Sequence, residues 1–192
     1  MKMAPILRAF DKYPEHEAIL IHTGQHYDAN LSTVFFDELG IKKPDLFLGV
    51  GSGSHAEQTA KLLVAMEKAF QEASDEGKPF HRVVVVGDVN STMAATLTAA
   101  KLNIPVAHVE AGLRSFDRQM PEEINRIVTD GLSDMLLVSE PEGVTNLKNE
   151  GHTDEEIRLV GNVMIDTLLR QVEQAKQRST LADINVRAGE YC

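Results

Sequence analysis

This chain of 192 residues has little cysteine and no excess of positive charge. Its single cysteine is Cys192, so no disulfide can form within the chain, which fits residence in the cytoplasm. Lysine and arginine number 19 against 29 acidic residues, and the net charge of −10 argues against nucleic acid and anionic membrane as partners. No apolar run approaches the roughly 20 residues that are needed to span a bilayer.

What the sequence does contain is a regular alternation of short apolar segments and helical stripes. With 43% apolar residues, the chain can bury the core of one domain. Strand-like segments occur at residues 18–21, 45–50, 82–86, 105–109, 134–138 and 157–160. The alternation predicts an α/β fold built on a Rossmann-like, doubly wound parallel sheet.

Two of these strands are predicted to lead into a carboxylate. The run at 105–109 is followed by Glu110, and the four valines before Gly87 are followed by Asp88. Ligands of open α/β sheets bind outside the carboxyl ends of the strands, so both acids are candidate site residues. Asp88 could instead cap the next helix, as aspartate commonly does. An acid that ends a buried strand, as Glu110 does, must reach a partner, water or a ligand.

A helix predicted to begin at Pro121 divides its residues between a polar and an apolar face. The polar stripe consists of Glu122, Asn125, Arg126 and Thr129. The opposite face, which we expect to pack against the core, consists of Ile124, Ile127 and Val128. Glu123 turns about 100° away from the polar stripe, so we expect it to tolerate replacement by glutamine. Glu122 and Arg126 could also form an ordinary helical ion pair.

Capping signals mark two helix starts. Capping boxes are predicted at Ser54 with Glu57 and at Ser139 with Glu142. The first box follows a glycine-rich turn whose exposed amides could accept a phosphate, and Gly51, Gly53 and Ala56 also fit a dinucleotide-binding fingerprint. That fingerprint requires an acid about 20 positions further on, at the end of a strand. The nearest acids precede the strand instead, which weakens the nicotinamide-binding alternative.

Five short motifs follow one another in the order found in a known enzyme family. They are His22-Thr-Gly-Gln-His-Tyr27, Gly51-Ser-Gly-Ser-His-Ala-Glu-Gln-Thr59, Gly87-Asp-Val-Asn-Ser91, His108-Val-Glu-Ala-Gly-Leu-Arg114 and Met120-Pro-Glu-Glu-Ile-Asn-Arg126. On these motifs the sequence resembles the UDP-N-acetylglucosamine 2-epimerase family of the non-hydrolysing type. The resemblance covers nearly the whole chain, but only the N-terminal half of such an enzyme.

This resemblance implies the first domain of a glycosyltransferase-B architecture. Residues 1–172 would form the Rossmann-like domain, and residues 173–192 would form the linker to a second domain that this sequence does not contain. In the family a first strand and a Gly-Thr-Arg-Pro-Glu loop come before the position of Lys2, and the sequence lacks both. A truncated chain and a shortened variant both remain open as explanations. Intact relatives are usually homodimers that serve cell-surface polysaccharide synthesis.

The reaction implied by the resemblance is the inversion of UDP-N-acetylglucosamine at C2 to give UDP-N-acetylmannosamine. UDP leaves C1 as the C2 proton is removed, and UDP then adds back while a proton arrives on the other face. This route needs a base, an acid and a group that steadies positive charge near C1, and carboxylates can fill all three roles. The motifs carry over Asp88, Glu110 and Glu122, without deciding which is acid and which is base. No cofactor is required, and no metal cluster of suitable spacing is visible.

The same motifs carry over eight candidate contacts to sugar or phosphate. They are Lys2, Gln25, His26, His55, Gln58, Arg114, Asn125 and Arg126. Arg114 is the best of these candidates, because a guanidinium can bind phosphate and balance nearby acids. The structural alternative is that Arg114 and Arg126 pair with Asp117 and Glu122.

Two other functions stay open beside the epimerase. One is a hydrolysing relative that releases N-acetylmannosamine and UDP, and the other is an inactive domain that only binds a nucleotide sugar. We expect the chain alone to fold marginally, because a parallel sheet without an internal strand exposes unpaired edges. We also expect it to show no turnover, because the resemblance implies an active-site crevice that lies between two domains.

Overall fold

A computed structural model of the chain describes residues 1–24, 36, 38–187 and 189. The strands are β1 (Ile21–His22), β2 (Leu46–Phe47), β3 (Val83–Val86), β4 (Val106–Ala111), β5 (Met135–Val138) and β6 (Ile157–Leu159). The helices are α1 (Met3–Phe10), α2 (His55–Asp75), α3 (Asn90–Lys101), α4 (Pro121–Gly131), α5 (Pro141–Asn149), α6 (Val163–Lys176) and α7 (Thr180–Asp183). Part of the predicted linker at 173–192 is therefore helical.

Every paired strand runs parallel to its neighbour, which confirms the predicted α/β fold with a doubly wound parallel sheet. β3, β4, β5 and β6 pair in that order, and β1 pairs with β2. Val86 of β3 lies opposite Val109 of β4, and the register of β4 on β5 shifts between Val109 and Ala111. Of the helices described here, none is long and apolar enough to cross a membrane.

The sheet is divided by an apolar slot between β1 and β3. The slot holds a cavity of about 290 Å³ whose lining includes Ile21, Met66, Phe70, Phe80 and Val84. In a parallel sheet, alternate residues of a strand bond to opposite neighbours. Leu20 and His22, on either side of Ile21, accept bonds from the β2 side. Val83 and Gly87 donate to the β4 side, so Val84 has the opposite orientation in the strand. The peptide groups of Ile21 and Val84 therefore turn toward the slot.

The two core clusters of the four-stranded part of the sheet lie on the same face, since Val85, His108, Leu136 and Ile157 are side by side in the pairing of the strands. Near β3 and β4, α2 and α3 pack Met66, Phe70 and Ala95 against Val85 and Val106. Further along this face α5 packs against β5 and β6, and the buried residues there are Ala111, Leu136, Val138, Leu147 and Ile157. α3 fits between its neighbours α2 and α4 because its buried residues are small, mainly alanine and threonine. These contacts fix the strand ends of β3 and β4 with respect to the start of α4.

Helix α4 is oriented differently from the prediction. Its buried residues are Glu123, Asn125, Thr129 and Asp130. On the predicted core face Ile124 is 42% exposed and Ile127 and Val128 are only half-buried, so the expectation that this face packs into the core is wrong. The reason is that most of the polar side chains find hydrogen-bond partners inside the protein, which removes the usual cost of burying them.

The two predicted capping boxes have different outcomes. Ser54 and Glu57 form the reciprocal box at the start of α2, which confirms the first prediction. The second is wrong, because Glu140 occupies the N-cap position of α5 and its side chain makes no capping hydrogen bond. Ser139 lies one residue too early, and its buried hydroxyl has no hydrogen-bond partner within the described part of the chain.

Candidate active site

The candidate site lies at the carboxyl ends of β3 and β4, where the sequence predicts Asp88 and Glu110 to emerge. The pairing of Val86 with Val109 brings the two strand ends to the same edge of the sheet. Gly87, which precedes Asp88 and lies next to the Glu110 carboxylate, has a φ of +73°. A Cβ atom added to Gly87 would lie 3.3 Å from the Nζ of Lys2 and 3.5 Å from the Oε2 of Glu110. A glycine here lets both charged groups approach the backbone closely.

Glu110 has an unusual backbone conformation for an acid within a strand. Its φ is +74°, and it lies where the register of β4 on β5 shifts. A non-glycine residue in this left-handed region costs on the order of 1 to 3 kcal/mol, a strain that tends to occur at functional sites. The carboxylate forms an ion pair with Lys2, and both side chains are half-buried. The strain and the ion pair together fix this carboxylate at the sheet edge.

Asp88 is held by Arg126 of α4. The Arg126 guanidinium lies 2.5 Å from the Oδ2 of Asp88 and 2.8 Å from the Oε2 of Glu123. Asp88 is not the cap of α3, since Val89 occupies the N-cap position. Glu122, the third predicted carboxylate, is exposed in the first turn of α4. The alternative pairing of Arg126 with Glu122 is therefore wrong, because the neighbouring Glu123 takes that place.

Glu123 is the acid whose importance the sequence did not reveal. Its buried carboxylate accepts hydrogen bonds from the backbone N–H groups of Ser115 and Phe116, each 3.0 Å long, and from Arg126. Burial raises the pKa of Glu123, but these bonds outweigh it and lower the pKa to about 2. The expectation that Glu123 points away from the polar side chains is wrong. It fixes the loop between β4 and α4.

A network of side-chain amides supports the Asp88 turn from below. Asn125 donates to the backbone carbonyl of Asp88 at 2.8 Å and to the Oδ1 of Asn90 at 3.1 Å. Asn90 in turn donates to Gln58 at 2.7 Å and lies 3.3 Å from the Nδ1 of His55. Asn125 and Gln58 are buried, so the structure uses these two predicted sugar contacts to position the turn. His55 is exposed at the start of α2.

Arg114 does not face the crevice, contrary to its prediction as the best phosphate contact. Its side chain is 1% exposed and lies 2.7 Å from Asp130 and 2.5 Å from Glu150. Burial lowers the pKa of Arg114, but the bonds and charges of Glu150 and Asp130 outweigh it and raise the pKa above its usual value. The alternative of an ion pair was right in kind, but Asp117 is the wrong partner. The true partners were missed because they are distant in sequence.

His108 is a second residue whose role the sequence did not reveal, although it belongs to a quoted motif. Its ring is fully buried between the Oδ1 of Asp130, at 2.6 Å, and the carbonyl oxygen of Gly87, at 2.9 Å. Asp130 also accepts a bond from the N–H of Gly112. A histidine preceding a strand-end acid is only a weak signal in a single sequence.

Two of the predicted contacts, Gln25 and His26, lie outside the described residues. Lys2 is at the site, paired with Glu110. Among the residues that the structure does describe, no three histidine, cysteine, aspartate or glutamate side chains are grouped as a metal site would require. The described site therefore consists of carboxylates, two cations and the amides that hold them.

Comparison with known proteins identifies the family to which this arrangement belongs. The family model described as UDP-N-acetylglucosamine 2-epimerase matches residues 8–192. The chain belongs to the UDP-N-acetylglucosamine 2-epimerase family. This confirms the resemblance drawn from the five motifs.

Similar proteins come from archaea and bacteria. A UDP-N-acetylglucosamine 2-epimerase homolog of Methanococcus maripaludis is 45% identical, over all of this chain and 52% of its own length. The UDP-2,3-diacetamido-2,3-dideoxy-D-glucuronate 2-epimerase of Pseudomonas aeruginosa is 44% identical, over 95% of this chain and 51% of its own length. The chain thus spans about half the length of these curated relatives.

Solved structures of the epimerase family share the fold of this chain. The crystal structure of Methanocaldococcus jannaschii UDP-GlcNAc 2-epimerase, in complex with UDP-GlcNAc and UDP, matches with a TM-score of 0.88 and 43% identity. The match covers 95% of this chain and 49% of that one. The Neisseria meningitidis UDP-GlcNAc 2-epimerase bound to UDP-GlcNAc matches with a TM-score of 0.85 and 28% identity, over 95% of this chain and 48% of that one. The fold is therefore that of the first domain of this glycosyltransferase-B type of enzyme.

Proposed function

We propose that this chain supplies the catalytic carboxylates of an enzyme that converts UDP-N-acetylglucosamine to UDP-N-acetylmannosamine. The observation that carries the proposal is the placement of Asp88 and Glu110 at neighbouring strand ends, each beside a cation, in a chain of this family. Residues 1–172 would form one domain, and residues 173–192 would lead to a second domain across the crevice. The slot between β1 and β3 would be the place of the strand that the resemblance puts before Lys2.

The geometry supports an elimination and re-addition at C1 and C2. One carboxylate would take the C2 proton while the C1–O bond breaks and UDP leaves with the electron pair. A second carboxylate would return a proton to C2 from the other face as UDP adds back. Lys2 and Arg126 lie beside Glu110 and Asp88, where they could balance the charge of the acids and of the departing diphosphate. Glu122 is exposed at the start of α4 and would face the sugar from that side.

A second candidate substrate is a diacetamido sugar with a C6 carboxylate. The Pseudomonas aeruginosa relative named for such a substrate is as similar to this chain as the relatives named for UDP-N-acetylglucosamine. The C2 chemistry would be the same for both sugars. In either case we propose that the intact enzyme is a cytoplasmic homodimer that serves cell-surface polysaccharide synthesis.

The test is to incubate the chain alone, and the chain joined to a second domain, with each nucleotide sugar in deuterated water. The two-domain protein should form the C2 epimer with one deuteron at C2, while the chain alone should give only background. Release of free N-acetylmannosamine and UDP would instead indicate a hydrolysing enzyme. Absence of any C2 exchange in the two-domain protein would overturn the proposal and leave a binding domain.

The three carboxylates are tested in the same two-domain protein. Asp88→Asn, Glu110→Gln and Glu122→Gln should each lower kcat by about 10² to 10⁴, the usual effect of losing a general acid or base. Glu142→Gln is a matched control for Glu122→Gln, because both glutamates are exposed and follow the proline that starts a helix. A Glu122→Gln protein within threefold of the control would remove Glu122 from the mechanism.

A further inference from the structure

His108 is fully buried, and the reaction proposed above gives it no role. Its ring lies beneath the candidate site, between β3 and α4. The Nε2 atom is 2.9 Å from the carbonyl oxygen of Gly87, and the Nδ1 atom is 2.6 Å from the Oδ1 of Asp130. Each ring nitrogen therefore has a hydrogen-bond partner, and the two partners belong to different elements of the fold.

The partners decide which atoms donate. A carbonyl oxygen can only accept, so Nε2 carries the proton that it shares with Gly87. Burial raises the pKa of Asp130, but the bonds and charges of His108 and Arg114 outweigh it and lower the pKa below its ordinary value. Asp130 therefore binds the Nδ1 side of the ring as a carboxylate, and the ring is held at both ends.

Asp130 extends this contact to the turn after β4. Its Oδ2 atom accepts from the N–H of Gly112 at 3.1 Å and lies 2.7 Å from Arg114, which in turn pairs with Glu150. The buried Arg114 guanidinium lies between the carboxylates of Asp130 and Glu150, so its charge is compensated. The network is thereby anchored at its outer end by Glu150, the residue that follows α5.

The two bonded glycines are neighbours of the candidate catalytic acids. Gly87 immediately precedes Asp88, and Gly112 follows Glu110 by two residues. His108 and Asp130 therefore link the two turns that carry the acids. A displacement of about 1 Å in a reacting group can cost 10² in rate, so a link of this kind matters for catalysis.

We propose that His108, through Asp130, is a positioning residue that sets the relative placement of the Asp88 and Glu110 carboxylates. The catalytic consequence rests on the proposed function, whereas the contacts of His108 and Asp130 are features of this chain whatever its function. His108 is fully buried and does not line the crevice. It acts by holding the Gly87 carbonyl and the Gly112 amide at fixed points.

The first test follows the carboxyl ¹³C signals of Asp88 and Glu110 by NMR, as a function of pH, in the chain itself. His108→Phe keeps a planar ring and removes both ring nitrogens, and His108→Gln keeps one donor in case the phenylalanine variant does not fold. Both variants should move the two signals and the amide signals of Gly87 and Gly112. The control is Thr129→Val, an equally buried change on α4 whose hydroxyl has no partner among the described residues. It should leave the signals unmoved.

A rescue separates positioning from general damage. In the double variant His108→Gln with Asp130→Asn, the glutamine amide can donate to the Gly87 carbonyl and accept from the new amide at 130. This variant should return the Asp88 and Glu110 signals toward their original positions, although it removes the charge of Asp130. Signals that stay unmoved in folded His108→Phe or His108→Gln protein would overturn the proposal.

The second test measures kinetics in the two-domain protein. His108→Gln should lower kcat at least tenfold and leave KM within threefold, and the double variant should recover part of kcat. An equal fall in kcat for Thr129→Val would show a merely structural role and overturn the proposal. If the unmodified protein has no activity, the proposed function fails, and the NMR measurement still decides the role of His108.

Discussion

Glu110 and Lys2 form an ion pair at the edge of the sheet, although 108 positions separate them in the sequence. The Lys2 ammonium and the Glu110 carboxylate meet beside Gly87, which has no side chain and therefore leaves room for both groups. Glu110 reaches this position only by adopting a left-handed backbone. The backbone conformation of Glu110 thus lowers the stability of the fold, while its carboxylate lies at the candidate site. The effect on stability and the effect on catalysis can be measured separately.

Replacement of Glu110 by glycine should give a more stable protein than replacement by glutamine, by about 1 kcal/mol. Both variants lose the ion pair with Lys2, but only glycine adopts the left-handed conformation without strain. Urea unfolding of the two variants measures the difference. The control is the same pair of substitutions at Glu67, an exposed position inside α2. There the glycine variant should be the less stable by about 1 kcal/mol. If the difference in unfolding free energy between glycine and glutamine has the same sign at both positions, backbone strain at Glu110 is contradicted.

Glu123 should make the stability of the chain depend on pH below neutrality. Its pKa is lowered from 4.5 to about 2 in the folded chain, so its stabilisation is complete above about pH 4.5 and is lost as the pH falls toward 2. The loss can reach about 3 kcal/mol. Glu123→Gln should be destabilised by about 2 to 3 kcal/mol at pH 7 and should show a smaller loss over this range. Glu122→Gln, on the exposed side of the same turn, is the control and should unfold like the original.

Substitution at the contact between Gly112 and Gly143 should be costly. A Cβ atom on Gly112 would lie 2.5 Å from the carbonyl oxygen of Gly143, and the φ of Gly112 is +81°. Gly112→Ala combines overlap with backbone strain and should cost about 2 to 5 kcal/mol. Gly131→Ala is the control, since its Cβ would meet nothing within 4 Å, and it should be neutral or slightly stabilising. Thermal unfolding compares the two, and similar melting temperatures would refute the close contact.

The slot between β1 and β3 should cause self-association of the chain. Two strand edges face it with apolar walls, and exposed strand edges recruit other chains. Sedimentation should therefore show a mass that rises with concentration. Ile21→Lys adds a charge at this edge and should reduce the effect, whereas Val64→Lys, on the exposed side of α2, should leave it unchanged. A monomer at all concentrations would count against an open slot.

The sequence was sufficient for the features that depend on local pattern. Alternating apolar runs predicted the parallel strands, and Ser54 with Glu57 predicted the start of α2. The orientation of α4 could not be predicted in this way, because periodicity shows which side chains share a face and not which face is buried. That choice depends on Asp88, Ser115 and His108, which supply partners from other parts of the chain. The burial of Arg114 was missed for the same reason.

The inward polar face of α4 has a consequence for how this helix opens. A helix held by apolar contacts exposes apolar surface when it detaches from the protein. Its detachment is therefore promoted by urea and carries a large heat-capacity change. α4 is held by Glu123, Asn125 and Asp130, and its detachment would expose mainly charged and amide groups. Hydrogen exchange from α4 should therefore respond steeply to acid and only weakly to low urea. Lowering the pH would then open the crevice beside α4 while the rest of the domain stays folded.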